Sequence, residues 1–109
     1  MANEKQQKVM QLQLLQQNVQ NLVMQKQQYQ MQLNEIESAH SEVKDSKQTY
    51  KIVGNIMVLS SKEVIEKDLK EKKEMIELRL KNIETQEQKL REKAEELQKQ
   101  LLKEVKEEK

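Results

Sequence analysis

The sequence predicts a mainly α fold, in which two long helices form an antiparallel coiled-coil hairpin around one central β-hairpin that assembles with others into a shared sheet or barrel. The first observation is composition: the 109 residues include one glycine and no proline, and 36% are charged, as in long helices with few turns. The second is a heptad pattern on each side of the middle, and the third is an apolar stretch, YKIVGNIMVLS, between the two patterns.

The first half of the chain carries apolar residues at alternating spacings of three and four, which is the pattern of a coiled-coil interface. We call these positions the seam. Two polar residues, Lys26 and His40, interrupt it. Disorder, which the low hydrophobicity would otherwise allow, does not produce a pattern kept over about five heptads. The seam residues are Leu12, Leu15, Val19, Leu22, Lys26, Tyr29, Leu33, Ile36, His40 and Val43.

The second half repeats the pattern, with Lys73 and Glu87 as its interruptions. If the chain folds back about Gly54-Asn55, the numbers of facing seam positions always sum to 112 or 113. In this register Lys26 faces Glu87, an opposite-charge pair that fixes the alignment at some cost in stability, and His40 faces Lys73. The second seam consists of Leu69, Lys73, Ile76, Leu80, Ile83, Glu87, Leu90, Ala94, Leu97 and Leu101.

The central stretch is predicted to be a two-residue hairpin with Gly54 at the first turn position, since glycine accepts the positive φ of a type II′ turn. Val53 then pairs with Ile56, and the apolar residues lie on both faces. An isolated two-stranded hairpin is marginal in water, so we expect it to assemble with other hairpins. The predicted assembly residues are Tyr50, Ile52, Val53, Ile56, Met57, Val58 and Leu59.

The segment boundaries follow from these signals. A single domain, 1–109, contains a first helix over 5–46, the β-hairpin over 49–59 and a second helix over 61–107. The polar run Glu42–Gln48 ends the first helix. Ser60 with Glu63 fits a capping box that begins the second helix.

Several function classes lack their signatures. The net charge is +1, with acidic and basic residues interleaved, so no basic face indicates nucleic-acid binding. Cysteine is absent, which excludes thiolate metal sites and suits a reducing compartment. The start of the chain lacks the apolar core of a signal peptide, and no run is long enough to cross a membrane. No glycine-rich phosphate loop or catalytic partner of His40 is present, so we expect neither an enzyme nor a cofactor.

The heptad arm, the stretch YKIVGNIMV and the following SSKEVIEKDLKEKKEMIELRLKNIETQEQKLREKAEELQ resemble the β-type subunit of archaeal prefoldin over roughly residues 5–105. The resemblance implies an oligomeric β-barrel platform of two α-type and four β-type subunits, from which coiled coils extend. It implies a cytoplasmic, ATP-independent chaperone that binds unfolded proteins and passes them to a group II chaperonin. The short C-terminal end, KEVKEEK, departs from family members with a longer tail.

Some apolar residues lie off the seam, and Met10, Met24 and Met31 share the heptad position opposite it. Methionine suits contacts with varied partners because it is flexible and polarizable. Wider packing against the partner helix, or tolerance of methionine on a surface, is the alternative interpretation. A structural adaptor that binds a folded partner is the alternative function. Because family members contact clients at the tips of their arms, the resemblance implies client-binding roles for Val9, Met10, Leu14, Leu102 and Val105.

Overall fold

The computed structural model describes residues 2–107, which form two helices and two strands in the order α1 (Ala2–Asp45), β1 (Thr49–Val53), β2 (Ile56–Ser60) and α2 (Lys62–Glu107). Its contacts divide the chain into two compact units. The terminal unit contains the chain up to Gln27 and from Lys81 onward, and the hairpin unit contains Gln28–Leu80. No helix in the described range is apolar enough over a sufficient length to cross a membrane.

In the terminal unit, α1 and α2 run antiparallel, since Lys8 pairs with Glu104 and Lys26 pairs with Glu87. Val19 and Ile83 are buried in this unit. The predicted seam positions of the unit are all buried or half-buried, whereas most of the positions between them are exposed. These covered positions are Leu12, Leu15, Val19, Leu22, Lys26, Ile83, Glu87, Leu90, Ala94, Leu97 and Leu101.

The hairpin unit continues both seams. Ile76 and Leu80 of α2 are buried at 7% and 8% exposure. The remaining seam residues of the unit are half-buried, namely Tyr29, Leu33, Ile36, His40, Val43, Leu69 and Lys73. None of the described side chains is completely buried, because a two-helix interface covers each helix on one side only. Apart from the four buried residues, the seam side chains are partly covered, and each of these contributes less than the roughly 1.5–3 kcal/mol of full burial.

The two strands pair antiparallel in the predicted register, from Thr49 opposite Ser60 to Val53 opposite Ile56. Gly54 has a φ of 62°, and no other described residue has a positive φ. A positive φ at the first turn position alone is the geometry of a type II′ turn, which confirms the role predicted for glycine. A residue with a Cβ at this position would strain the turn.

The end of α1 agrees with the boundary predicted from the sequence, whereas the start of α2 differs from it. α1 ends at Asp45, within the predicted polar run, and the Ser46 hydroxyl donates to the Glu42 carbonyl at 2.8 Å. The predicted capping box of Ser60 and Glu63 is wrong, because Ser60 is still the last residue of β2. Ser61 caps α2 instead, and its hydroxyl accepts a hydrogen bond from the Val64 amide at 3.3 Å.

The reason for the shifted cap lies in the strand. The Ser60 carbonyl accepts a 2.7 Å hydrogen bond from the hydroxyl of Thr49, its cross-strand partner. This bond holds Ser60 in extended conformation and moves the start of the helix one residue along the chain. Thr49 is buried at 7% exposure, so its hydroxyl needs this partner.

Candidate functional site

The β-hairpin carries the densest apolar surface of the chain, and the helices leave it uncovered. All seven predicted assembly residues are exposed, by 47% at Val58 to 71% at Ile52. Tyr50, Ile52, Met57 and Leu59 lie on one face, while Val53, Ile56 and Val58 share the other with Lys51. Each strand also has one unpaired edge, because the sheet has two strands only. Exposed apolar faces next to free edges are typical of a surface that pairs with another chain.

The terminal unit carries a second set of exposed apolar residues, which includes all five predicted client-binding positions. Val9, Met10 and Leu14 lie on α1 and are exposed by 40%, 68% and 58%. Leu102 and Val105 lie on α2 and are exposed by 59% and 39%. Met10, Leu14 and Leu102 are more than half exposed, so burial accounts for little of their role, whereas Val9 and Val105 are mostly covered.

These five residues are not gathered in one pocket. Val9 and Met10 border a shallow groove of about 490 Å³. Leu14 borders a different groove of about 420 Å³, which the half-buried seam residues Leu15 and Leu97 also line. Leu102 and Val105 border neither groove. The arrangement offers several small apolar contacts rather than one shaped cavity, and such contacts suit partners of variable shape.

The predicted register pair is present. The Lys26 ammonium lies 3.7 Å from Oε1 of Glu87, and the other carboxylate oxygen, Oε2, accepts a 3.1 Å hydrogen bond from Nε of Arg91. Glu87 is only 15% exposed, and its Oε1 is buried with no hydrogen-bond partner. The charge of Lys26 is therefore the main compensation for burying that oxygen, which makes the pair sensitive to the alignment of the helices.

The structure adds a second ion pair that the sequence analysis missed, between the Lys8 ammonium and Oε1 of Glu104. The signal was available, because Lys8 and Glu104 continue the spacing of three and four and their numbers sum to 112. Apolar spacing alone does not identify this pair, because both residues are charged. The hydrogen bond from Lys8 lowers the pKa of the Glu104 carboxyl below its usual value.

His40 borders a groove of about 680 Å³ in the hairpin unit, together with Lys73 and Glu37. Lys73, the residue predicted to face His40, lies 3.7 Å from the Glu37 carboxylate. Glu37, at a position next to the seam, therefore pairs with the lysine that the sequence predicts to face His40. No group of side chains in the described range is arranged to hold a metal ion.

Comparison with known proteins shows which kind of chain carries these surfaces. Residues 6–108 match the sequence profile of the family described as "Prefoldin subunit". The chain belongs to the prefoldin family. It is 44% identical to prefoldin subunit beta of Archaeoglobus fulgidus over 96 residues, which cover 85% of this chain and 83% of that protein. Prefoldin subunit beta of Pyrococcus abyssi is 40% identical over 90 residues, covering 80% and 77%.

The same family appears among solved structures. The crystal structure of the prefoldin beta subunit from Thermococcus strain KS-1 superimposes with a TM-score of 0.86 at 39% identity, covering 90% of this chain and 89% of that one. The helix–hairpin–helix architecture and the β-type subunit resemblance are thereby confirmed. Prefoldin subunits are chaperone components and not enzymes.

Proposed function

We propose that this chain is the β-type subunit of a cytoplasmic, ATP-independent chaperone built from two α-type and four β-type subunits. In this assembly the β-hairpin joins the platform, and the terminal unit binds unfolded proteins and presents them to a group II chaperonin. The observation that carries the proposal is the presence of two separate apolar surfaces that the fold itself does not bury, one on the β-hairpin and one in the terminal unit.

The β-hairpin supports the assembly step. Burying apolar surface contributes about 25 cal/mol per Å², and every apolar side chain of the hairpin is available for this in the isolated chain. The free strand edges supply backbone hydrogen bonds to a neighbouring hairpin as well. Contacts of both kinds favour association through the hairpin rather than through the helices, whose outer faces are mostly polar.

The terminal unit supports the client-binding step. An exposed Met10 or Leu14 contributes about 1–2 kcal/mol when a client covers it fully, which is too little for stable binding by one arm. Several arms that hold the same client raise the effective concentration of each later contact, so the combined affinity increases by orders of magnitude. Weak single contacts also allow the client to leave one arm at a time, which suits release without a nucleotide.

The test compares two pairs of substitutions on the same helix. Met10→Ser with Leu14→Ser removes two of the proposed client contacts. Met24→Ser with Met31→Ser is the matched control, because these methionines are 61% and 62% exposed and share the heptad position of Met10. Each variant is assembled with an α-type subunit and mixed with a chemically denatured client, and aggregation is followed by light scattering.

We expect the first pair to weaken protection and the control pair to protect like the parent, with oligomer mass and helical circular dichroism unchanged in both. If both variants protect as well as the parent, the client site does not include Met10 and Leu14. If the control pair alone loses protection, the client binds at Met24 and Met31 instead.

A further inference from the structure

The β-hairpin carries no apolar residue that is buried against the helices, so polar contacts must determine how it is held. The connection to α2 is a single residue, Ser61, and the connection to α1 is the three-residue segment 46–48. The hairpin can therefore tilt about Ser61 unless another contact restrains it. The hairpin and both of its connections to the helices lie within the hairpin unit.

Two polar contacts fix the base of the hairpin. The Lys62 ammonium donates to the carbonyl of Lys44 at 3.2 Å, which ties the start of α2 to the last turn of α1. The Thr49 hydroxyl donates to the Ser60 carbonyl and closes the two strands where they leave the helices. Neither contact reaches the part of the hairpin beyond its first residue pair, so they leave its tilt undetermined.

One contact does reach further. The ammonium of Lys51, in the middle of β1, lies 3.1 Å from Oδ2 of Asp68, on the second turn of α2. Lys51 is paired with Val58, and Val58 is the least exposed apolar residue of the hairpin, at 47%. Because Lys51 reaches Asp68, the face that carries Lys51 is turned toward α2, and the opposite face carries Tyr50 and Ile52.

We propose that Lys51 and Asp68 are positioning residues, whose ion pair sets the tilt of the β-hairpin on α2 and so presents the hairpin to neighbouring subunits at one angle. The link to neighbouring subunits rests on the proposed assembly function, whereas the tilt itself is a property of the single chain. The reason such a pair matters is geometric: hairpins that join edge to edge must meet at similar angles, and a hairpin already held at that angle loses less freedom on association.

The tilt is measured directly by spin labelling, since the chain has no cysteine of its own. Asn55→Cys places a label at the turn and Glu74→Cys places one on the exposed side of α2, both within the hairpin unit. Labelled chain is diluted into an excess of unlabelled chain, so that the distance distribution comes from pairs within one molecule.

An ion pair exposed to solvent has a diagnostic salt dependence, because roughly 1 M salt shortens the screening length to about 3 Å. We expect the parent to give a narrow distribution at low salt and a broad one at high salt. Lys51→Gln should give a broad distance distribution at both low and high salt. The exchange Lys51→Glu with Asp68→Lys should restore a narrow distribution at low salt, whereas Lys51→Glu alone should not.

The matched control is the ion pair between Lys73 and Glu37, which has similar exposure, lies in the same unit and involves no hairpin residue. Lys73→Glu with Glu37→Lys, and each change alone, should leave the distribution as in the parent. The proposal is overturned if Lys51→Gln keeps the narrow distribution, if the exchange fails to restore it, or if the control variants broaden it equally.

Assembly is then measured by native mass spectrometry with an α-type subunit at increasing salt. Lys51→Gln and Lys51→Glu should weaken association by about two- to fivefold per hairpin, the range for one exposed ion pair, and the exchange should restore it. If the variants broaden the tilt but associate normally, the role in presentation is wrong. If the parent shows the tilt restraint but forms no complex, the assembly function fails while the restraint stands.

Discussion

Ile52 and Ile76 are the same side chain in two regions of one chain, yet Ile52 is 71% exposed and Ile76 is 7% exposed. Ile52 lies in the most apolar stretch of the sequence, whereas the seam around Ile76 includes charged residues such as Lys73. Local hydrophobicity therefore does not determine burial here. The seam is covered because its partner lies on the same chain, and the hairpin is uncovered because the chain offers it none.

The largest expected effect comes from placing charge on the uncovered region. Ile52→Lys with Val58→Lys puts a lysine on each face of the β-hairpin, and burying each unpaired charge in an assembly costs several kcal/mol. We expect sedimentation with an α-type subunit to show smaller species, while helical circular dichroism is retained. An unchanged mass would place the assembly surface outside the hairpin.

The next effect concerns the covered region. Leu80→Ala removes a buried seam side chain and should lower the free energy of unfolding by about 2–4 kcal/mol. Leu78→Ala on the same helix is the control, because Leu78 is 61% exposed and its loss should change stability by no more than about 0.5 kcal/mol. Urea unfolding followed by circular dichroism measures both. Equal losses would contradict the division between covered and uncovered residues.

A smaller effect is expected at the charged pair of the seam, Lys26 and Glu87. Glu87→Gln removes the charge that Lys26 faces and should lower the free energy of unfolding by about 1–3 kcal/mol. Replacing both Lys26 and Glu87 with leucine should be neutral or stabilising, because no buried charge remains. The register between α1 and α2 should instead become less well defined, since leucine pairs equally well in shifted registers.

The register between α1 and α2 can be measured with an engineered disulfide. Leu33→Cys and Leu80→Cys occupy seam positions predicted to face each other, and we expect them to crosslink within one chain. With leucine at both Lys26 and Glu87, the yield of this crosslink should fall. A crosslink that forms only between chains would reject the intramolecular hairpin, and an unchanged yield would show that the apolar layers alone set the register.

The smallest effect is expected at the ion pair between Lys8 and Glu104, which lies beyond the last apolar seam residues. Because the pKa of Glu104 is lowered in the folded chain, the pair stabilises the fold above the usual glutamate pKa of about 4.3 and stops doing so as the pH falls through the lowered value. The protection factors of amides near Glu104, which compare each exchange rate with the intrinsic rate at the same pH, should fall at acidic pH. Lys8→Met should abolish this pH dependence, and a dependence that survives would assign it to another carboxylate.

The sequence was sufficient to predict the features that depend on spacing. The seam, the Lys26–Glu87 pair, the glycine turn and the strand register follow from periodicity and from the conformational freedom of Gly54. The cap at Ser61 was not predictable in this way, because it depends on a hydrogen bond between Thr49 and Ser60 that only the paired strands create.

Side-chain contacts that involve positions outside the seam could not be predicted from the sequence. Lys51 and Asp68 lie on a strand and a helix whose relative tilt is not encoded in any period, and Glu37 reaches Lys73 from outside the seam. The off-seam positions of Met10 and Leu14 do predict their exposure. Their role stays a prediction until the aggregation assay is done.

The central position of the Gly54 turn has a consequence for how the chain folds. Lys51 and Asp68 are 17 residues apart in sequence, whereas Lys8 and Glu104 are 96 apart. Closing the longer loop in one step costs about 1.5 kcal/mol more in chain entropy, so pairing that begins near the turn and spreads toward the termini is the less costly route. During synthesis, α1 is complete before any of α2 exists, and its apolar seam faces solvent until then. Until its second helix has been made, the nascent chain therefore exposes the kind of apolar side chains that an unfolded protein exposes.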